Sequence, residues 1–407
     1  MKKERTKVDQ SGLNRNMNKP LKITLISVSS LIKCAFVSFV LLMQIPTTTF
    51  HKSNYVDHSH FFREIMNENK NFANVPLTRI RMLASHDSMS NDINYQSFPN
   101  KSEDTMASNL FFRGLGKGFM VRISRGQKDN VYEQLMAGIR YIDFRITNID
   151  GVFYTSHGLV SNTLETNLKL ILKFLDENPG EFIMCDIVRY YPGSPAKSYN
   201  DLYEFIKSVK YNDKSLLDYV PTSYTRESKE IKIDSKTKFY DLTYNDLCPI
   251  DSSTNERKAG ALIYTYQDNA EPFGRNDGNL KASRNAVTFN SGVVLNTIHE
   301  WIDYIKTWGG DDGNPNRWHY LNLNETQFQP QVNEIPDILL GWSLLHGAYH
   351  NNNYLYNEMI KDENKGLDWL EYMPIYMCDF STCNENKFQQ RITQKLINSN
   401  IKLAEYY

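Results

Sequence analysis

The chain has 407 residues, enough for one large domain or two smaller ones, and its 41% hydrophobic content supports a sizeable core. A formal net charge of −1 provides no global basic field, which argues against a nucleic-acid partner. The 25 Tyr and 21 Phe say only that the chain is globular.

Residues 1–20 carry Lys2, Lys3, Arg5, Lys7, Arg15 and Lys19 against Glu4 and Asp9. The run 21–45 is mostly apolar and is broken by Lys22 and Lys33. About 20 apolar residues span a bilayer, and a mid-span lysine costs about 2.5–3.5 kcal/mol. The expectation is a basic cytosolic tail at 1–20 and a transmembrane signal anchor at 21–45, with the remainder lumenal or extracellular. A signal peptide with its apolar core at 34–45, and hence secretion, is the alternative, although no clear cleavage site follows Ile45. Residues 46–75 read as a polar stalk. The sequons Asn100-Lys101-Ser102 and Asn324-Glu325-Thr326 fit export. Besides Cys34 there are Cys185, Cys248, Cys378 and Cys383, which permit disulfides without requiring them. No paired C-x-x-C spacing points to a metal site.

The first strand expected is Arg79–Leu83, ending in Ala84-Ser85-His86-Asp87-Ser88. Residues 89–127 read as loop. Their cluster Arg113-Gly114-Leu115-Gly116-Lys117-Gly118 lacks the spacing of a phosphate loop. Val131–Ala137 reads as a short helix stopped by Gly138. The stretch 139–158 then forms two strands joined by a turn at 148–151. At period two Asp143 and Arg145 share one side of the first strand, and Ile142, Phe144 and Ile146 share the other. A carboxylate and a guanidinium on a half-apolar strand are expensive to bury unless they pair or serve a ligand. The second strand runs into Ser156-His157-Gly158, which sets an imidazole beside them.

Asn162-Thr163-Leu164-Glu165 reads as a helix start, and Leu164, Leu168, Ile171, Leu172 and Leu175 hold one face of that helix. Strands follow at Glu181–Val188, Gly260–Tyr266, Trp318–Leu323 and Met373–Cys378, the last ending in Asp379, before a helix at Phe388–Ile397. Reactive groups at strand ends, in a strand–helix–strand alternation, point to a closed (β/α) barrel.

The motifs Ala84-Ser85-His86-Asp87-Ser88-Met89 and Glu133-Gln134-Leu135, continuing through Ala137-Gly138-Ile139-Arg140-Tyr141-Ile142-Asp143-Phe144-Arg145, resemble the phosphatidylinositol-specific phospholipase C X domain. The similarity continues through Glu177-Asn178-Pro179-Gly180-Glu181-Phe182-Ile183 and resumes near Tyr376–Phe380. It is strong to residue 190 and patchy beyond. The resemblance implies an α/β fold, a (β/α)8 TIM-type barrel, usually imperfectly closed, over residues 76–407. It implies His86 and His157 as the catalytic pair, with Asp87, Arg145 and Asp379 around them. Calcium-dependent relatives carry an acid where Arg145 stands, so the chain resembles the metal-independent type, with no metal or cofactor. The insert at 192–258 departs from the bacterial pattern.

Such chemistry makes sense of the residue types. Cleaving a phosphodiester through an internal hydroxyl needs a base, an acid and a positive charge on the phosphoryl oxygens. Histidines titrate near neutrality and each supplies about 10²–10⁴-fold as acid or base. His86 is the expected base oriented by Asp379, and His157 with Asp87 the expected acid. Arg145 is expected on the phosphoryl oxygens, held by Asp143, and Asp143 and Arg189 are the expected substrate-binding residues. The expected partners are a phospholipid substrate and a membrane. Two other functions stay open: a metal-dependent glycerophosphodiesterase or sphingomyelinase-like barrel, and a non-catalytic barrel binding inositol lipids. The former expects a Glu-x-Asp pair, of which Asp143-Phe144-Arg145 supplies half.

Overall fold

A computed structural model describes residues 19–44, 54–103, 109–226, 228–233, 237, 239–264, 284–288, 321–326, 344–364, 368–371 and 374–407. The basic tail expected at 1–20 lies outside them except for its last two residues. In chain order the strands are β1 (Met82–Ser85), β2 (Ile139–Ile149), β3 (Val152–His157), β4 (Leu159–Thr163), β5 (Phe182–Ser194), β6 (Ser223–Arg226), β7 (Lys229–Lys232), β8 (Gly260–Tyr264), β9 (Arg284–Thr288), β10 (Leu321–Thr326) and β11 (Ile375–Cys378). Seven run parallel in the order β9-β10-β11-β1-β2-β5-β8. β3 and β4 branch from β2 as an antiparallel meander, and β6 and β7 form a hairpin of their own.

This is a mixed α/β fold, and among the described residues its sheet does not close, because β8 and β9 do not pair. The eight-stranded parallel barrel expected from the resemblance also fails at β3. Asp150 (φ 50°) and Gly151 (φ 87°) form a two-residue left-handed turn, and a link that short can only return the chain antiparallel. The helix that follows this meander is Leu164–Glu177, between β4 and β5. Its cap is Thr163, which accepts from Thr166 N at 3.3 Å.

The apolar face of β2 behaves as its period requires. Ile142, Phe144 and Ile146 are buried in one core with Leu168, Ile171, Leu172 and Leu175 of that helix. Each buried side chain of this kind contributes about 1.5–3 kcal/mol. The stalk expected at 46–75 is not one over its second half. Phe61–Glu68 is a helix whose Phe61, Phe62, Ile65 and Met66 enter the same core. His60 offers this helix no side-chain cap, so Glu181 caps it from outside, accepting from Phe62 N and Arg63 N at 3.1 Å.

Residues 21–45 fall largely in the helix Lys19–Gln44. Among the described residues no helix is long and apolar enough to cross a membrane, so the expected anchor finds no support there. Asn100 gives export no support either. It is 1% exposed and its amide donates to Ser156 Oγ at 3.0 Å and Glu103 Oε2 at 3.2 Å, bonds that a glycan on that nitrogen would break. All five cysteines are free thiols.

Candidate active site

β2 outlasts β1. β1 flanks it only over Ile139–Ile142, and β3 takes the same flank over Ile146–Ile149. Asp143, Phe144 and Arg145 therefore lie at a fork with no strand on that side, the kind of opening where sheets of this class place ligands. The turn after β1 fills the fork. His86 N still bonds Cys378 O at 3.0 Å, as an extension of the β1–β11 ladder, and Asp87 then reverses the chain at φ 45°. Aspartate tolerates that left-handed conformation better than most residues. The turn is tied to β2 by three bonds: Asp87 N to Asp143 Oδ2 at 3.0 Å, Asp143 N to Ser88 Oγ at 2.8 Å and Ser88 N to Asp143 O at 3.3 Å. On the other side of the fork the β2–β3 hairpin, paired from Ile149–Val152 back to Ile146–Thr155, returns His157 alongside the fork. The histidine at this strand end thus arrives on an antiparallel excursion and not at the end of a parallel barrel strand.

The side chains converge on Asp87. His86 Nδ1 is 2.8 Å from Asp379 Oδ1 and 3.5 Å from Asp87 Oδ2. Its Nε2 is 2.6 Å from Arg145 Nη2. A guanidinium only donates, so Nε2 carries the lone pair and the His86 proton sits on Nδ1, facing Asp379. His157 Nδ1 lies 2.9 Å from Asp87 Oδ2 and 3.0 Å from Ser124 O, two acceptors, which place a proton there as well. Arg145 Nε forms an ion pair with Asp87 Oδ1, and Nη2 is 3.3 Å from Asp143 Oδ2. The two imidazole centroids are 6.1 Å apart.

Burial and charge compete throughout this cluster. Burial alone would lower both histidines. The Asp87 and Asp379 carboxylates reverse that for His86, and Asp87 does so for His157, so both are held above the ordinary imidazole value. Burial opposes ionisation of Asp87, yet Arg145, His157 and His86 together hold its carboxyl well below the usual range.

Arg145 and His157 of the cluster line a cavity of about 350 Å³ with Glu103, Arg189, Tyr191, Met120, Ile123, Ser124 and Gly158, while His86, Asp87 and Asp379 lie buried behind them. Arg189 stands opposite Arg145 in the β2–β5 register, on the cavity wall where a substrate-binding residue was expected. Asp143, expected to touch substrate, does not line this cavity. It is 1% exposed and lies beneath Arg145 and the Asp87 amide, so it supports them instead. A larger groove, about 810 Å³, follows the helices Leu344–Glu363 and Phe388–Leu403 and contains neither histidine.

Two supports escaped the sequence reading. Gln127 is fully buried, donating to His86 O at 2.6 Å and Cys378 O at 3.2 Å and accepting from Ser381 N and Oγ at 3.1 Å. It clamps the ends of β1 and β11, which carry His86 and Asp379. Nothing in a loop-like stretch marks such a glutamine. Beside it, a Cβ on Gly126 would come within 3.0 Å of Asp379 Oδ1 and 3.3 Å of Asp87 Cβ, so the bare backbone is needed for close approach. Gln134 had a signal, since it stands within the quoted motif. It donates to Ser88 O and Asp129 O at 2.7 Å each.

His86, Asp87 and Asp379 lie close enough together to share a metal ion. Arg145 competes for that space, with its cation already on His86 Nε2 and Asp87. The donor set therefore does not fit a divalent ion unless Arg145 moves away.

No family model matches the chain. Among curated proteins it is 31% identical to PI-PLC X domain-containing protein 3 of Bos taurus over 144 residues, 34% of this chain and 44% of that protein. It is 34% identical to PI-PLC X domain-containing protein 2 of Homo sapiens over 123 residues, 29% of this chain and 40% of that protein. The chain thus spans less than half the length of these relatives. Among solved structures, the phosphatidylinositol-specific phospholipase C from Listeria monocytogenes superposes at a TM-score of 0.49, with 19% identity, over 81% of this chain and 95% of that one. A mutant of the Staphylococcus aureus phosphatidylinositol-specific phospholipase C gives 0.45 at 12% identity, over 79% and 93%. The motifs quoted from the sequence and the curated matches agree: over about a third of its length the chain is similar to PI-PLC X domain-containing proteins.

Proposed function

We propose that the chain is a phosphoric diester hydrolase that cleaves phosphatidylinositol, or a glycosylated form of it, to diacylglycerol and a cyclic inositol phosphate without a metal. One observation carries this reading: two imidazoles 6.1 Å apart share the Asp87 carboxylate with a guanidinium that also reaches His86 Nε2. An acid, a base and a fixed cation are what transfer from an internal hydroxyl requires. The inositol hydroxyl replaces Arg145 at His86 Nε2 and gives its proton there, while the Nδ1 proton stays with Asp379. Arg145 turns its fork to the phosphoryl oxygens as negative charge builds. His157 protonates the glycerol oxygen as the P–O bond breaks. Arg189 faces the same cavity and would bind the headgroup.

The curated relatives carry the name PI-PLC X domain-containing protein, which supports this reading. The catalytic unit is taken as 76–407 together with the Phe61–Glu68 helix that its core encloses. From the basic flank at 1–20 and the apolar run at 21–45 we further propose that this unit is exported, although the helix Lys19–Gln44 is not apolar enough to cross a membrane.

The test uses two substrates in EDTA. Wild type turns over phosphatidylinositol vesicles under chelation. His157→Ala loses about 10²–10⁴-fold on the lipid but recovers much of that on a nitrophenyl inositol phosphate, whose leaving group needs no proton. His86→Ala is impaired on both. Loss of turnover in EDTA that calcium restores points to the metal-dependent reading. If wild type is active and neither variant is impaired, the roles given to the two histidines are wrong; if wild type turns over neither substrate with or without calcium, the chain is a binding module.

A further inference from the structure

Glu103 is a carboxylate in the wall of a cavity that, on the reading above, must admit an anionic phosphodiester. It lines that cavity with Arg145, His157, Arg189 and Tyr191. Its Oε2 accepts from Ser156 Oγ at 3.0 Å and from Asn100 Nδ2 at 3.2 Å. Asn100 is itself 1% exposed and bonds Ser156 Oγ at 3.0 Å, so the carboxylate is fixed by a buried polar pair next to His157. Its Oε1 makes no hydrogen bond among the described residues. Its field is felt across the site, adding to the raised proton affinities of Arg145 and His157. A fixed, under-used negative oxygen in such a cavity repels phosphate and accepts hydroxyl hydrogens.

Resting on the proposed phosphodiesterase activity, we infer that Glu103 is a specificity-determining residue that selects headgroups presenting neutral hydroxyls over those phosphorylated where Glu103 meets them. The two arginines divide the work. Arg145 takes the scissile diester at the fork, while Arg189 and Glu103 present opposite charges to the polyol ring, a pair that can accept from and donate to neighbouring hydroxyls. A phosphomonoester placed against Oε1 meets like charge in a part-buried site, where screening is weak. The substrate class that fits is an unphosphorylated inositol lipid, or one whose substituent at that position is neutral.

The experiment compares the full chain with Glu103→Gln and Glu103→Asp on vesicles carrying phosphatidylinositol or its 3-, 4- or 5-phosphate. Glu103→Gln keeps an acceptor for Ser156 and Asn100 but removes the charge. It is expected to lose about tenfold to a hundredfold in kcat/KM on phosphatidylinositol, the size of a charge-assisted hydrogen bond. On at least one phosphate isomer its activity relative to phosphatidylinositol rises tenfold or more. Glu103→Asp keeps the charge and keeps the discrimination. Equal losses on every lipid, with no change in the ratios, would show that Glu103 only props Ser156 and Asn100 and would overturn the inference. Binding of myo-inositol and inositol 1,4-bisphosphate, measured by calorimetry, reads the same preference without turnover. A wild type that binds but cleaves nothing defeats the proposed function and leaves the Glu103 comparison intact. Identical binding preferences in wild type and Glu103→Gln defeat the inference itself.

Discussion

Arg140 and Arg145 stand five residues apart on β2, on opposite faces, and each is paired with carboxylate: Arg140 with Glu181, and Arg145 with Asp87 and Asp143. Arg140 is fully buried between the rings of Phe61 and Phe174. Every nitrogen is used: Nε and Nη2 on Glu181 at 2.8 Å, Nη1 on Leu135 O and Ile139 O, and Nη2 also on His58 O and Ser59 O. Arg145 keeps 16% of its side chain exposed, and its Nη1 makes no bond among the described residues. The closed guanidinium is a structural rivet that holds the Phe61–Glu68 segment against β2 and β5. The open one has a donor to spare and a cavity in front of it. Residue type and strand do not separate the two roles; unused hydrogen-bonding capacity facing solvent does.

Breaking the rivet should have the largest effect. Arg140→Met leaves Glu181 charged and buried without its cation, at a cost of about 3–5 kcal/mol. Thermal unfolding should show it, with little change in activity per folded molecule. Adding Glu181→Gln should restore much of the loss, because removing both charges is far cheaper than stranding one. If the double variant is as unstable as the single one, the contribution of Arg140 comes from its stacking between the rings and not from its charge.

The opposite substitution sharpens the other half of the comparison. Arg145→Lys keeps a positive charge but loses the planar fork that bridges Asp87, Asp143 and His86. A loss of about 10²–10³-fold in kcat/KM on phosphatidylinositol is expected, the size of removing one preorganised donor from a developing oxyanion. Stability should change little beside Arg140→Met, since a lysine can still neutralise Asp87. A variant that keeps full turnover while melting far below wild type would exchange the two roles.

The sequence showed a good part of this arrangement and missed the rest for identifiable reasons. Period two placed Asp143 and Arg145 together and the isoleucines and Phe144 behind them, because alternation on a half-buried strand is a strong local signal. His86, His157 and Asp379 were found as polar groups at strand ends. Their convergence is not local: it depends on β1 stopping at Ser85 while β2 runs on to Ile149, and on a two-residue turn that sends β3 backwards. The same alternation sets Arg140 on the core face, where its partner Glu181 stands just before β5, forty-one residues later. The Phe61–Glu68 segment reads as stalk because the surrounding stretch 51–74 is rich in His and Asn, yet four apolar side chains at helical spacing are enough to bury it. Gln127 and Glu103 lie in a stretch without periodicity, where only tertiary contacts give a side chain its meaning.

The smallest expected effect, on pH dependence, tests whether both histidines answer to the same carboxylates. His86 must be neutral to act as base and His157 charged to act as acid, so the pH profile of kcat/KM should be bell-shaped. Because they share Asp87, the limbs report the coupled pair and not either ring alone. Both histidines are held above their ordinary value, so both limbs should lie on the alkaline side of about 6.5. Asp379 touches only His86 of the two rings. Asp379→Asn removes an anion that favours the His86 imidazolium, so His86 loses its proton at lower pH and the acid limb moves down. The alkaline limb, set by His157 and Asp87, should stay. The same linkage acts on folding. A histidine raised in the folded state contributes stability fully below its unfolded value near 6.5, and that contribution fades as pH climbs through the folded value. Wild type should therefore lose melting temperature, relative to a His86→Gln/His157→Gln variant, as pH rises from about 6 to 9. An acid limb that stays put in Asp379→Asn, or a melting difference that grows with pH, would mean that these carboxylates do not hold the imidazolium forms.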